Sequence, residues 1–275
     1  MADPTILEVA KKVEARIRRL RRLDDAEELL SVVLSSYREV LRSWPWGFAL
    51  QRYRTRLPGA SQATVALTNG SQSVTLVSGS ADWSLYPTIS LPGRRPLYTD
   101  GGGSLVDPWL GSTGTYDCRI IYNVIPLFDV QVWGIAVTNV GPLLKMSHVG
   151  LETIDPNREK IGRPKAFVPY TPYTEVWPAP DLDYDVDVWL VPMPPSQVDP
   201  SVQVAAPLED AVVYKAISHL LAQTKPDLVA YYEAEAEKSL AAVKSSDAAS
   251  YSWPEFHLVY EAAETPIEFN FRIVL

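Results

Sequence analysis

Two helical ends enclose a long β-rich middle, and that order restricts the fold more than any other feature of the chain. Ile6, Ala10, Val13, Ile17 and Leu20 recur at steps of four and three, the spacing of one narrow helical face. This predicts a first helix over about 4–22. A second is expected from a cap at Asp24 or Asp25, with Glu27 or Glu28 three residues on, to about Ser43. Leu30, Val33, Leu34, Tyr37, Val40 and Leu41 form its apolar stripe, and Pro45 stops it because the residue before a proline leaves helical geometry. Trp44, Trp46 and Phe48 then read as an apolar anchor between helices and insertion. On the far side, Asp199 to Ala206 is a return linker. Pro207 suits a first helical turn, and Glu209 and Asp210 complement the helix dipole. Val212, Val213, Ala216, Ile217 and Leu220 give that helix its face, ending near Thr224. Pro226 opens a last helix to about Ser245, and residues 245–250 read as a hinge.

Between the helices the period changes to two. In Gln51–Leu57 the side chains of Arg52, Arg54 and Arg56 fall on one face. Runs at 64–68 and 73–77 flank Asn69-Gly70, a hairpin signal. Further short strands are expected at 88–91, 95–99, 116–124, 130–137, 142–146, 166–169, 174–177 and 185–190. Short strands divided by turn residues suit a barrel or small sandwich. The fold class expected is therefore α+β. Helices at 1–48 and 201–246 form a small bundle, residues 49–200 a β-rich insertion, and 247–275 an extended C-terminal arm.

Composition narrows the function. The one cysteine, Cys118, excludes an internal disulfide and fits a reducing compartment. The N-terminus lacks an apolar leader, and no apolar run approaches a membrane span, so a soluble chain made in a cytoplasm is expected. A net charge of −8 argues against wholesale nucleic-acid binding. The first helix is nevertheless basic. Lys11, Lys12, Arg16, Arg18, Arg19, Arg21 and Arg22 form either a solvated helix face or a docking surface for an acidic partner or DNA phosphates.

Residues that would carry chemistry are sparse. His148, His219 and His257 lack metal-pair spacing, and no Gly-x-Ser-x-Gly elbow is present. Cys118 lies in a strand-like run and reads as a small space-filling residue, although Arg119 is adjacent. Asp100-Gly101-Gly102-Gly103-Ser104 reads as a flexible loop, not a phosphate cradle, since no Lys-Ser/Thr and helix follow. No catalytic, metal or cofactor site is expected. Asp181, Asp183, Asp185 and Asp187 alternate with Leu182, Tyr184, Val186 and Val188, which places four carboxylates on one strand face. That face is a solvated strand surface, a channel lining that repels DNA, or a divalent-cation site, in that order. A single row gives no cleft for a glycosidase pair.

Several ordered elements carry a family resemblance over about residues 24–245. They are Trp44-Pro45-Trp46-Gly47-Phe48-Ala49, the run Asn69 to Leu76, and Ile161-Gly162-Arg163-Pro164-Lys165-Ala166-Phe167. Val176-Trp177-Pro178-Ala179-Pro180-Asp181 and Tyr184-Asp185-Val186-Asp187-Val188 follow, then a closing helix pair with Tyr231-Tyr232. Together they resemble the head-to-tail adaptor (connector, or head-completion) proteins of tailed bacteriophages. The resemblance implies a structural virion protein at the neck. It would form a twelve-fold ring below the portal protein, extend the DNA channel, and offer a platform to a tail tube or nozzle protein. In some family members the C-terminal segment reaches the portal. Trp253, Phe256, Leu258, Tyr260, Phe269, Phe271 and Leu275 are the residues here that would serve. A terminus this apolar either closes the chain's own insertion or docks on another subunit.

Two other readings stand beside it. One is another phage tail part, such as a nozzle or baseplate component, which would assemble without portal. The other is a glycan-binding β-domain on a helical stalk, for which Trp109 and Trp133 are the stacking candidates.

Overall fold

The helices come from the two ends of the chain and share one core. The structure, a computed structural model, describes residues 3–18, 26–170 and 173–250. α1 (Ile6–Ile17) starts on a capping box: Glu8 N–H donates to Thr5 Oγ1, and Thr5 N–H donates to the Glu8 carboxylate at 2.8 Å. α2 spans Ala26–Arg42. The caps expected at Asp24 or Asp25, and Leu20 with them, lie outside the described residues.

The chain forms two compact units. Unit 1 holds the described residues of Met1–Tyr53, Asp129–Trp133 and 188–250. Unit 2 holds Arg54–Phe128 and Gly134–Asp187.

In unit 1, a short 3-10 turn at Ala206–Leu208 leads into α4 (Glu209–Leu221). α4 is buried on more than one face: Ala211, Val212, Val213, Ala216, Ile217, Leu220 and Leu221 all lie in the core with Ile6, Val9, Val13 and Ile17 of α1 and Val33, Leu34, Val40 and Leu41 of α2. The return linker is stitched to the N-terminus. Ile6 N–H donates to the Val202 carbonyl, Val204 N–H to that of Pro4, and Ala206 N–H to Asp3 Oδ1.

α5 runs over Pro226–Ser250, past the hinge expected at 245–250. The reason is Asp247. Its carboxylate accepts the Trp44 indole N–H and the Gly47 backbone N–H, both at 3.0 Å, and is itself buried. An acid held on two donors keeps its turn of helix wound, and the surrounding alanines favour the helix. Trp46 is fully buried, with its indole N–H on the Val40 carbonyl.

The β-rich part begins with β1 (Gln51–Leu57), β2 (Ser61–Leu67), β3 (Val74–Ser78), β4 (Thr88–Ser90), β5 (Leu97–Tyr98) and β6 (Gly114–Ile121). It continues through β7 (Val124–Pro126), β8 (Val130–Val137), β9 (Gly141–Pro142), β10 (Leu144–Lys145) and α3 (His148–Ile154), a helix the sequence did not announce. β11 (Ile161–Gly162), β12 (Ala166–Pro169), β13 (Tyr173–Trp177), β14 (Ala179–Pro180) and β15 (Tyr184–Pro192) complete it. The sheet orders are β1-β15-β8-β9, β10-β12-β13-β7, β11-β14 and β3-β2-β6-β4-β5.

The α+β class is thus observed, but no closed barrel forms among the described residues. In the five-stranded sheet the two edges approach only at one end, through the isolated bridges Ser73↔Ser104 and Thr99↔Leu105. Its inner face carries Val65, Leu67, Ile89, Leu91, Leu105 and Ile120.

Removing the Asp247 carboxylate should release α5 from the Trp44–Gly47 corner. Asp247→Ala leaves two donors without their acceptor and is expected to cost about 2–3 kcal/mol, while Asp247→Asn, which keeps one acceptor oxygen, should cost less. Urea unfolding of the two variants against the parent measures the difference.

Candidate functional site

Two rows of opposite charge meet between β1 and β15. Arg54 Nε donates to Asp187 Oδ1 at 3.0 Å, and Arg56 is paired with Asp183. The Arg52 guanidinium lies 5.6 Å from the Trp189 ring centroid. Residue numbers rise on one strand as they fall on the other, as in an antiparallel pair. Asp183 also accepts the Gly59 N–H at 2.9 Å. That bond and Arg56 hold its carboxyl below the ordinary carboxylate range. Asp181 accepts the Tyr184 hydroxyl at 2.7 Å, which keeps that phenol protonated to higher pH than usual.

The row expected to be four free carboxylates is therefore an alternating-charge ladder, and the strand begins only at Tyr184. Asp183, Tyr184 and Asp185 line a groove of about 340 Å³ with Thr138, Asn139, Val140 and Arg163. Arg163 donates to the carbonyls of Asn139 and Val140 across it. The complementary periods of Arg52/Arg54/Arg56 and Asp183/Asp185/Asp187 were the sequence signal for this pairing.

The basic helix is partly paired as well. Lys12 meets Glu209, Arg16 lies 3.7 Å from Asp210 and 4.9 Å from the Tyr214 ring centroid, and Arg18 meets Glu14 at 3.4 Å. Lys11 is exposed. Arg19 and Arg22 lie outside the described residues. So do Trp253, Phe256, Leu258, Tyr260, Phe269, Phe271 and Leu275.

The most concentrated polar centre of unit 2 is one the sequence reading missed. Arg158 and Glu175 are both buried, and Arg158 Nε donates to Glu175 Oε1 at 2.6 Å. Arg158 also donates to Glu152 Oε1 and to the Asp155 carbonyl, each at 2.6 Å. Asn123 Nδ2 donates to Glu175 at 2.8 Å. The turn that delivers Arg158 places it at φ 55°, a left-handed conformation unusual for a long side chain. Asp155 fixes that turn by accepting the N–H groups of Glu159 and Lys160 and the Trp177 indole N–H.

Burial pushes the Glu175 carboxyl up, and Arg158 offsets this only in part. Burial also works against the Arg158 charge, but Glu175 outweighs it, so the guanidinium holds its proton more tightly than usual. Tyr98, Tyr173, Tyr170 and His148 form a ring-on-ring row beside the pair, with centroid separations of 5.8, 4.8 and 5.3 Å. Burial first, and the Glu175 charge second, raise the pKa of all three phenols. Such a centre is chemically a rigid anchor. The desolvated ions keep each other in place, while Asn123 Oδ1 is left without a hydrogen-bond partner among the described residues.

The remaining sequence candidates are placed as follows. Cys118 is 3% exposed, and burial followed by the Asp117 charge pushes its thiol up to about 11, the opposite of an activated nucleophile. His219 lies 3.4 Å from both Ser36 Oγ and Glu39, between α4 and α2. His148 pairs with Glu152 one helical turn on, and His257 is outside the described residues. No cluster of His, Cys, Asp or Glu suited to a metal occurs among the described residues.

The loop at 100–104 is not slack as expected. Asp100 Oδ1 accepts the N–H groups of Gly102 and Ser104, so the loop's own carboxylate fills its amide cradle. Gly101, at φ +78°, has no room for a side chain: a Cβ would lie 2.7 Å from the Tyr86 ring. Trp109 is 5% exposed, edge-on to Tyr116 and with the Arg94 guanidinium over its ring. Trp133 packs against the helical core.

Neither protein-family models nor curated proteins gave a match to this chain.

Breaking the buried pair should be costlier than removing it. Arg158→Met or Glu175→Gln alone is expected to lose about 3–5 kcal/mol, and the double variant much less than the sum. Denaturant titration of the full cycle measures the coupling.

Cys118 gives a pH test with a definite sign. The folded thiol keeps its proton up to about pH 11, whereas an unfolded thiol loses it near 8.5. The folded state binds more protons in that window, so stability falls as pH rises through it, by about 2–3 kcal/mol from this group. The stability difference between the parent and Cys118→Ala should shift by that amount between pH 8.5 and 11. A constant difference would contradict the assignment.

Proposed function

We propose that this chain is a head-to-tail adaptor of a tailed bacteriophage. It is a non-enzymatic virion protein that closes into a ring below the portal, continues the DNA channel and receives the tail. The observation that carries the reading is the helical core built from both ends of the chain, with the β-rich segment leaving after α2 and returning before α4. This is the order on which the sequence resemblance rests. A ring of identical subunits closes through heterologous contacts, so each subunit must present two different faces. The exposed cations of α1, only weakly neutralised by surface ion pairs, are available to an acidic partner.

If the β15 row faces the lumen, its field is weaker than four aspartates would give. Arg54 and Arg56 neutralise Asp187 and Asp183, leaving Asp181 and Asp185 to repel DNA phosphates. DNA then passes without sequence-specific contacts.

The purified chain should co-sediment with the portal ring of its phage and add a ring of density to it by electron microscopy. A chain ending at Ser250 should lose this association if the arm is the anchor. Full-length chain that leaves portal rings unchanged sinks the reading. A chain that assembles into rings or tubes without portal favours the nozzle or baseplate alternative.

A further inference from the structure

α5 is a long helix with little of itself in the core. Of its 25 residues only Ala236, Leu240 and Asp247 are buried, and Leu228, Val229, Tyr232 and Val243 complete the inner face. The outward face carries Ala230, Ala234, Glu237 and Ala241, all exposed, at steps of four, three and four. Such steps follow one side of a helix, so the four form a stripe about 16 Å long. The half of α5 that begins it is acidic. Residues 226–237 contain Asp227, Glu233, Glu235 and Glu237 and no lysine or arginine. Lys238 lies 3.9 Å from Glu235, and among the described residues no cation is within ion-pair range of the other three acids.

α1 offers the same spacing with the opposite charge. Leu7, Lys11, Glu14 and Arg18 recur at four, three and four on its outward side. Leu7 is 42% exposed, although Ile6 and Val9 beside it are wholly buried. Lys11 has no acidic partner among the described residues. Arg18 has only Glu14, at 3.4 Å and in water, where such a pair is weak.

We propose that the α1 stripe of one copy of this chain docks on the α5 stripe of the next. Laid antiparallel with their equal steps in register, the stripes set Leu7 opposite Ala241, Lys11 opposite Glu237 and Glu14 opposite Ala234. Arg18 then falls opposite Ala230, and its long side chain reaches Asp227 and Glu233 on either side. The parallel arrangement is excluded by charge, because it sets Glu14 against Glu237. The alanines let the two axes approach to about 8 Å, close enough to take Leu7 out of water.

A second copy is the occupant because the two stripes match each other in step, length and charge, and this chain carries both. The contact joins two different faces. It is therefore heterologous, and it propagates from copy to copy until it closes. The proposal rests on the adaptor reading for that closure, and it makes the acidic partner of α1 the chain itself. Three helical turns bury far less than the ~800 Å² per partner of a stable complex, so one contact alone is weak. The second contact that each copy gains on closure supplies avidity.

Sedimentation velocity of the full chain, from micromolar to millimolar concentration at low ionic strength, tests the contact. Lys11→Glu with Arg18→Glu should weaken self-association about tenfold or more, and so should Glu233→Lys with Glu237→Lys. All four changes in one chain should restore it, which separates a lost contact from a lost fold. Disulfide formation checks the register: a Leu7→Cys chain should cross-link to an Ala241→Cys chain, both in a Cys118→Ala background, and neither to itself. A chain that stays monomeric throughout overturns the proposal. So does association that neither charge swap weakens, or that the fourfold variant fails to regain. Portal binding by both swapped pairs at the parent's copy number sinks the contact and keeps the adaptor reading. Self-association through these faces, with portal rings left unchanged, keeps the contact and sinks the adaptor reading.

Discussion

The burial of α4 is the constraint on which the rest depends. Its sequence is apolar on more than one face, and only α1, α2 and α5 together can cover it. Two of those helices precede the β-rich segment and one follows α4. The bundle therefore cannot be completed until the whole insertion has left and returned. The stitches between residues 3–6 and 202–206, and the Asp247 clamp on the Trp44–Gly47 corner, sit where the two halves of the chain meet. Each fixes a point where the outgoing and returning chain must coincide.

Charge is used inside the insertion in two different regimes. The Arg56–Asp183 pair stands largely in water, where its attraction is screened and its worth is register more than stability, whereas in the Arg54–Asp187 pair an exposed guanidinium covers a buried carboxylate. Arg158 and Glu175 are desolvated. Their net contribution to stability is small, but either one left alone is expensive, so the pair specifies a single arrangement of α3, β13 and the turn at Asp155. The tyrosines beside it are held by the same electrostatics, since an ionised phenol next to Glu175 would be strongly disfavoured.

Local pattern made much of this legible. The three-and-four spacing of Val212, Val213, Ala216, Ile217 and Leu220 announced α4, and the runs at 51–57, 130–137 and 166–169 became strands with those bounds. What stayed hidden depended on distant partners. The helix at 245–250 looked like a hinge because Ser-Ser-Asp is weak helix sequence, and only the burial of Asp247 against Trp44 and Gly47 reverses that. The four aspartates looked solvated because their arginines lie over a hundred residues earlier. Arg158 and Glu175 gave almost no signal. A lone glutamate among Tyr173, Thr174, Val176 and Trp177 was the only hint, and its partner arrives through a left-handed turn that no periodicity encodes. α3 is too short to carry a period of its own.

The proposed adaptor role would act through geometry, so stoichiometry is what tests it. Native mass spectrometry of the chain alone, and then mixed with purified phage portal rings, tests this most directly. The account predicts a monomer or small oligomer that becomes one closed ring of fixed copy number on each portal. A chain that stays monomeric beside intact portal rings, or whose mass on the portal varies without a fixed number, would contradict it.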